Sequence, residues 1–277
     1  MKATYILFCV FFVSELKAQE LYPSTEPAST MSAKSIGVRL NTDLFPSRTY
    51  QVENVVVQSN TSYRLNPELM WGINKNWMFH LELYASNCHQ PNFKFEGSGV
   101  YLKYRFLAND EVQSHFRMAA YGKASLINNP IQYDEINLGG DNSGIGAGII
   151  ATQLLHKVAL SFTGGYLRAM DNIGYALSPF QTRDELNYSL SVGGLFLPFE
   201  YKSYSQPNLN VFVEFIGRLN PATGESYLDI APALQLILNS IVRLDLVYEK
   251  QLYSNMFRID NQVISFRFEY NFLNAYK

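Results

Sequence analysis

Val263-Ile264-Ser265-Phe266-Arg267-Phe268-Glu269-Tyr270-Asn271-Phe272 alternates almost without a break. Ile264, Phe266, Phe268, Tyr270 and Phe272 share one parity; Ser265, Arg267, Glu269 and Asn271 share the other. Successive side chains of an extended chain point to opposite faces, so this stretch is a strand with one greasy face and one charged face.

The same period of two recurs along the chain and predicts twelve strands, over 33–43, 61–72, 76–86, 95–107, 113–125, 142–153, 156–168, 185–196, 207–218, 226–238, 241–253 and 261–272. Soluble strands usually run about 5 to 6 residues, whereas most of these are twice that, the length of a tilted strand crossing a bilayer. The joints alternate too. Those at 74–76, 108–112, 154–155 and 239–240 are short, while those at 44–60, 126–141 and 169–184 are long. Short turns on one side and long loops on the other mark an up-and-down antiparallel transmembrane barrel, with an even strand count putting both ends in the periplasm.

Residues 1–18 precede this pattern. Lys2, an apolar run from Tyr5 to Val13, and Ala18 ahead of Gln19 have the order of a secretory signal peptide cut after Ala18. The domain reading is therefore a leader over 1–18, a periplasmic tail over 19–32 and the barrel over 33–277. The tail, rich in Pro, Ser and Thr, suits either a flexible lead or a plug.

Composition agrees with an all-β membrane protein. Of 277 residues 47% are hydrophobic and 17% charged, with 19 Tyr and 19 Phe, against about 25% charged in ordinary globular domains. The charge-free apolar stretch Ile230 to Val242 contains Pro232, Gln235, Asn239 and Ser240, and no charge-free stretch beyond the leader reaches the about 20 residues of a helical span. A net charge of -2 gives no footprint for nucleic acid. Losing the leader removes Cys9, so Cys88 is the single cysteine of the exported chain and no internal disulfide can form.

Alternation alone does not say which face is outside, since a soluble sandwich or lipocalin-like barrel alternates as well. The rings and charges on the apolar parity decide. Trp71, Trp77, Phe106, Phe196, Tyr270 and Phe272 gather at the short-turn edge, and Tyr63 and Tyr166 at the other, as membrane-interface girdles do. Glu96, Arg168 and Lys250 are the charges on that parity, and all fall near long loops. The leader, the twelve strands and the ending F-R-F-E-Y-N-F make the chain resemble single-chain outer-membrane barrels of diderm bacteria, among them loosely characterised transporter barrels of the Bacteroidota. One departure is that Leu273–Lys277 follow Phe272, where the family's insertion signal ends on Phe. The resemblance implies an outer-membrane location and handling by the barrel-assembly machinery.

The opposite parity assigns to the lumen Arg39, Arg64, Lys103, Arg105, Arg117, Lys123, Lys157, Arg218, Arg243 and Arg267, with Asp43, Glu68, Glu82, Glu185, Glu214, Asp229, Asp245, Glu249 and Glu269. Such a wall fits a porin-like channel for small hydrophilic solutes, weakly selective because the signs balance. The alternative is a structural or accessory barrel, plugged by its own ion pairs, that docks a protein partner through the tail or long loops. A membrane hydrolase ranks last, since no histidine stands outward near the long loops with a serine in register, and no enzyme activity is expected. A metal site from His80, Glu82 and His115 is conceivable but not expected, nor is any cofactor. In the acidic loop, Asp134, Glu135 and Asp141 could meet cations between lipopolysaccharides, although a solvated loop explains them as well. His89 beside Cys88 could lower the thiol's pKa.

Overall fold

The computed structural model describes residues 22–276 apart from 48, 53–54, 59, 112–113, 157 and 199–205, and only the backbone course of 49–52 and 55–58. The leader read over 1–18 and the lumen base Lys157 lie outside the described residues. In chain order the strands are β1 (Ser35–Phe45), β2 (Thr49–Val52), β3 (Val55–Gln58), β4 (Ser62–Gly72), β5 (Trp77–Ser86), β6 (Lys94–Asp110), β7 (Ser114–Ile127), β8 (Gly144–Leu155), β9 (Val158–Ala169), β10 (Asp184–Leu197), β11 (Asn208–Leu219), β12 (Ser226–Leu238), β13 (Val242–Ser254) and β14 (Gln262–Phe272). Twelve of them form one closed antiparallel barrel, in which β1 pairs with both β4 and β14. β2 and β3 form a separate hairpin inside the long loop after β1, an element the alternation did not reveal.

The wall is inverted relative to a water-soluble barrel. On β14, Ile264, Phe266, Phe268 and Phe272 are exposed while Glu269 is buried. On β12, Asp229 and Gln235 are buried while Leu234 is exposed. Water would penalise such an exterior, whereas hydrocarbon favours it and leaves the charges to the interior. The tight turn between β12 and β13 places Asn239 and Ser240 at φ 50° and 57°, the two left-handed residues a two-residue hairpin of matching twist requires.

Register converts this parity into rows of charge around the lumen. Glu82 faces Glu68, Glu68 faces Arg39, Arg39 faces Glu269, and Glu269 faces Arg243, across β5, β4, β1, β14 and β13. A second row runs Asn66, Asn41, Arg267, Asp245, Gln235 and Asn210 from β4 to β11.

Register shifts break the ladder locally at Tyr84/Ala85, Arg105/Leu107, Leu195/Leu197 and Leu228/Asp229. Glu96, read as facing outward, is fully buried, because the ladder between β5 and β6 shifts at Tyr84/Ala85 and turns the residues beyond it. Gly97 permits the offset, since a Cβ there would collide with the Leu126 carbonyl oxygen. Arg168 and Lys250 stay exposed on the outer wall.

Candidate functional site

The lumen is filled from both edges by the chain itself. Residues Tyr22–Ser32 lie inside the short-turn half, and their polar groups are matched to the wall. The Tyr22 carbonyl accepts from Arg243 at 2.9 Å and Arg267 at 3.3 Å, and its ring meets Phe212 edge-on at 5.4 Å. Glu214 accepts the Ser24 amide at 2.6 Å, the Thr25 amide at 3.0 Å and the Thr25 hydroxyl at 2.6 Å. The Ala28 amide donates to Thr152 at 2.9 Å, and Arg117 donates to Ser29 at 3.0 Å. Pro23 and Pro27 hold this stretch extended, so successive backbone donors reach different strands. Gly72 makes room at the exit, since a Cβ there would run into the Ser32 carbonyl.

Glu26 is the centre of that half. Arg39 reaches it at 2.7 Å while also contacting Glu68 at 3.2 Å and Glu269 at 2.9 Å. Lys103, fully buried, contacts Glu26 at 3.0 Å and the Pro27 carbonyl at 2.8 Å. Burial opposes ionisation of Glu26, but Lys103 and Arg39 outweigh it and hold the carboxyl well below its ordinary range.

The long-loop half is closed by residues 128–143. Ile136 and Leu138 pack on Leu167 and Ala169. Glu135 accepts from Tyr227 at 2.8 Å and pairs with Arg258 at 3.1 Å, and Arg258 also donates to Asp229 at 2.8 Å while stacking 3.5 Å over the Tyr227 ring. Asp141 pairs with Arg64 and lies 3.1 Å from His89, which contacts Glu96 at 2.9 Å. Asn172 donates to Asn129 and to the Asp141 carbonyl, tying the loop to its neighbour. Burial opposes charge on Glu135 and Asp141, but the facing guanidinium of Arg258 or Arg64 outweighs it and lowers both carboxyls. Burial likewise opposes charge on His89, yet its bonds to Asp141 and Glu96 raise it to about 9. These two carboxylates are engaged rather than solvated. Burial pushes the Cys88 thiol up to about 11, opposite to the lowering expected from His89, so the thiolate is disfavoured.

The other named residues fall as follows. Arg64, Glu82, Lys103, Glu214, Asp229, Arg243, Asp245 and Glu269 are buried inside with Arg39, and Glu68, Arg218, Glu249 and Arg267 are half-buried there. Arg105 donates to the Lys75 carbonyl at the short-turn edge, and Arg117 pairs with Asp110 at 2.9 Å at that edge. Arg218 pairs with Glu185 at 3.3 Å, Arg243 with Asp245 at 2.6 Å and Lys123 with Glu82 at 2.6 Å. Of the aromatics, Trp77, Phe106, Tyr166, Phe196 and Phe272 are exposed. Trp71 and Tyr270 are half-buried against Phe79 and Phe272. His80 gathers with Glu68 and Glu82 within 4.8 Å, whereas His115 pairs with Asp110. Both glutamates of that group are already taken by cations, Glu68 by Arg39 and Glu82 by Lys123.

Sequence reading missed Glu26, Arg258, His89 and Asp141 as lumen groups because they lie outside the strands. Glu26 carried one signal, a lone acid between two prolines in a segment already noted as a possible plug.

Tail and loop leave between them a cavity of about 300 Å³.

No family model matches the chain, and no curated protein matches it. Among solved structures it is similar to the COG4313 outer membrane channel from Pseudomonas putida F1, with a TM-score of 0.56 at 13% identity over 91% of this chain and 100% of that one. The Salmonella typhi OmpF complex with daunomycin aligns more loosely, with a TM-score of 0.34 at 10% identity over 86% of this chain and 97% of that one. The first similarity is one of fold: this chain shares a closed β-barrel architecture with that channel.

Proposed function

We propose that the protein is an outer-membrane channel for small hydrophilic solutes, exported by removal of residues 1–18, and that the structure represents its closed state. The observation that carries this reading is the manner of closure. The short-turn half is blocked by residues 22–32, which among the described residues join the wall where β1 begins, and which are held by hydrogen bonds and ion pairs together with the packing of Tyr22 in one apolar cluster with Phe212 and Val247 and of Ala28 in another with Ala119 and Ile150. Lifting it would expose a lumen already lined with charges of both signs. Those balanced signs support passage with weak ion selectivity. In this reading the termini and short turns face the periplasm, the long loops face lipopolysaccharide, and the exposed apolar belt meets lipid. Kinship with transporter barrels of the Bacteroidota rests on the leader and the C-terminal strand.

One observation favours the rival, a non-conducting accessory barrel: most lumen charges already have a partner of opposite sign. A catalytic role has no constellation to support it. Efflux of a small sugar from proteoliposomes separates the channel from the accessory barrel. The channel reading expects release that rises when Glu26→Ala and Glu214→Ala together loosen the tail. Liposomes that stay tight with a correctly folded double variant favour the accessory barrel.

A further inference from the structure

The cavity between tail and loop has a chemistry of its own. With a volume of about 300 Å³, at about 30 Å³ per liquid water, it has room for roughly ten waters or one solute of amino-acid size. Most cations on its wall are matched: Arg64 by Asp141, Arg258 by Asp229 and Glu135, and Arg218 by Glu185. Three charged groups are not matched in this way among the described residues. Asp43 accepts from the Ser265 hydroxyl at 2.6 Å, with no cation in ion-pair contact. Glu249 lines the cavity half-buried with no described cation in ion-pair contact, and both oxygens of Asp229, opposite Gln251 on the neighbouring strand, are already occupied by Arg258. Arg267 donates to neutral oxygens, those of Asn41 at 2.7 Å and Tyr22 at 3.3 Å, with Asp245 no nearer than 3.9 Å.

These three groups sit on adjacent strands, with β14 carrying Arg267 between β1 carrying Asp43 and β13 carrying Glu249. All three line the same cavity. A buried carboxylate without a cation calls for one, and a guanidinium whose nearest anion, Asp245, stands 3.9 Å away is a ready fork for a carboxylate. Two acidic receptors and one basic receptor complement a solute with two ammonium groups and one carboxylate.

We propose that this cavity binds a small basic amino acid or a close analogue, its carboxylate on Arg267 and its ammonium groups on Asp43 and Glu249. The inference rests on the channel reading for the solute's route, but its receptor chemistry can be tested separately. Calorimetric titration of the full chain in detergent at neutral pH with L-lysine, L-alanine, 1,5-diaminopentane and sodium acetate compares the relevant charge sets. L-Lysine should bind at least about tenfold more tightly than each of the others. Asp43→Asn with Glu249→Gln should remove about tenfold of that affinity. Arg267→Lys, which keeps the charge but loses the fork, should erase the advantage of L-lysine over 1,5-diaminopentane. Equal binding of those two by the unaltered protein, heat from L-lysine no larger than from acetate, or folded variants that bind like the parent would each overturn the proposal. Binding without conductance would defeat the channel reading and leave the site standing; conductance without binding would do the reverse.

Discussion

The two halves of the lumen are closed by different means. In the short-turn half the occupant is chain that precedes the first strand, bound through backbone amides, Glu26 and Glu214, with Tyr22 and Ala28 each buried in an apolar cluster of the wall. In the long-loop half it is a loop between β7 and β8, bound through an apolar cluster and a buried network of Arg64, His89, Glu96, Asp141, Asn129 and Asn172. The loop is fixed to the barrel at both ends, by β7 and β8. The tail can leave without breaking a strand ladder. The comparison therefore separates a closure that continues into a strand at one described end from a closure anchored by strands at both ends, and local opening favours the first.

The sharpest way to break this distinction is to remove one charged group from each half. Arg64→Met leaves Asp141 buried without its guanidinium and should cost the barrel about 3 to 5 kcal/mol in denaturant unfolding. Glu26→Ala should cost the barrel less than about 1 kcal/mol, because the tail lifts and water reaches Lys103, while amide exchange in residues 22–32 accelerates sharply. Equal losses in the two variants would erase the contrast.

The wall common to both halves provides the next effect. Leu246→Arg, on the exposed face of β13, should cost about 2 to 4 kcal/mol in lipid. A harmless substitution, measured by folding into vesicles, would mean that lipid does not face Leu246.

Alkali should loosen the long-loop half selectively. The folded pKa of Glu26 is depressed, so its stabilisation is complete above the ordinary carboxylate range and fades as pH falls through the lower folded value. His89 is raised from 6.5 to about 9. Its contribution, at most about 3 kcal/mol, is complete below pH 6.5 and lost as pH rises through 9. Because Glu135 and Asp141 are depressed like Glu26, acid should loosen both halves, whereas hydrogen exchange compared between pH 7 and 9.5 should show loop 128–143 loosening before the tail as His89 loses its proton. A loop unchanged between those two pH values would contradict the assignment.

The smallest effect belongs to the exposed pair Arg168 and Asp184 on the outer wall near the long loops. Arg168→Ala should change stability by less than about 1 kcal/mol.

Strand positions were legible because lipid and lumen impose opposite demands on alternate residues, and that demand repeats over every pair of positions. The stretch ending at Phe272 shows it most plainly, and the observed β14 ends on the same residue. The tail was not legible as a closure, since its partners lie up to 245 residues away and a Pro-rich polar segment has no period to read. Glu96 was misplaced because a single ladder offset reverses parity without changing the local pattern. Arg258 was missed because its loop brings it over the lumen, a position set by tertiary folding rather than by strand phase.

Single-channel recording in a planar bilayer tests the central claim most directly, comparing the full chain with a variant that lacks residues 22–32. The account predicts low or intermittent conductance for the full chain and a stable, larger conductance with weak ion selectivity for the shortened one. Two correctly inserted proteins with no conductance in either form would contradict it.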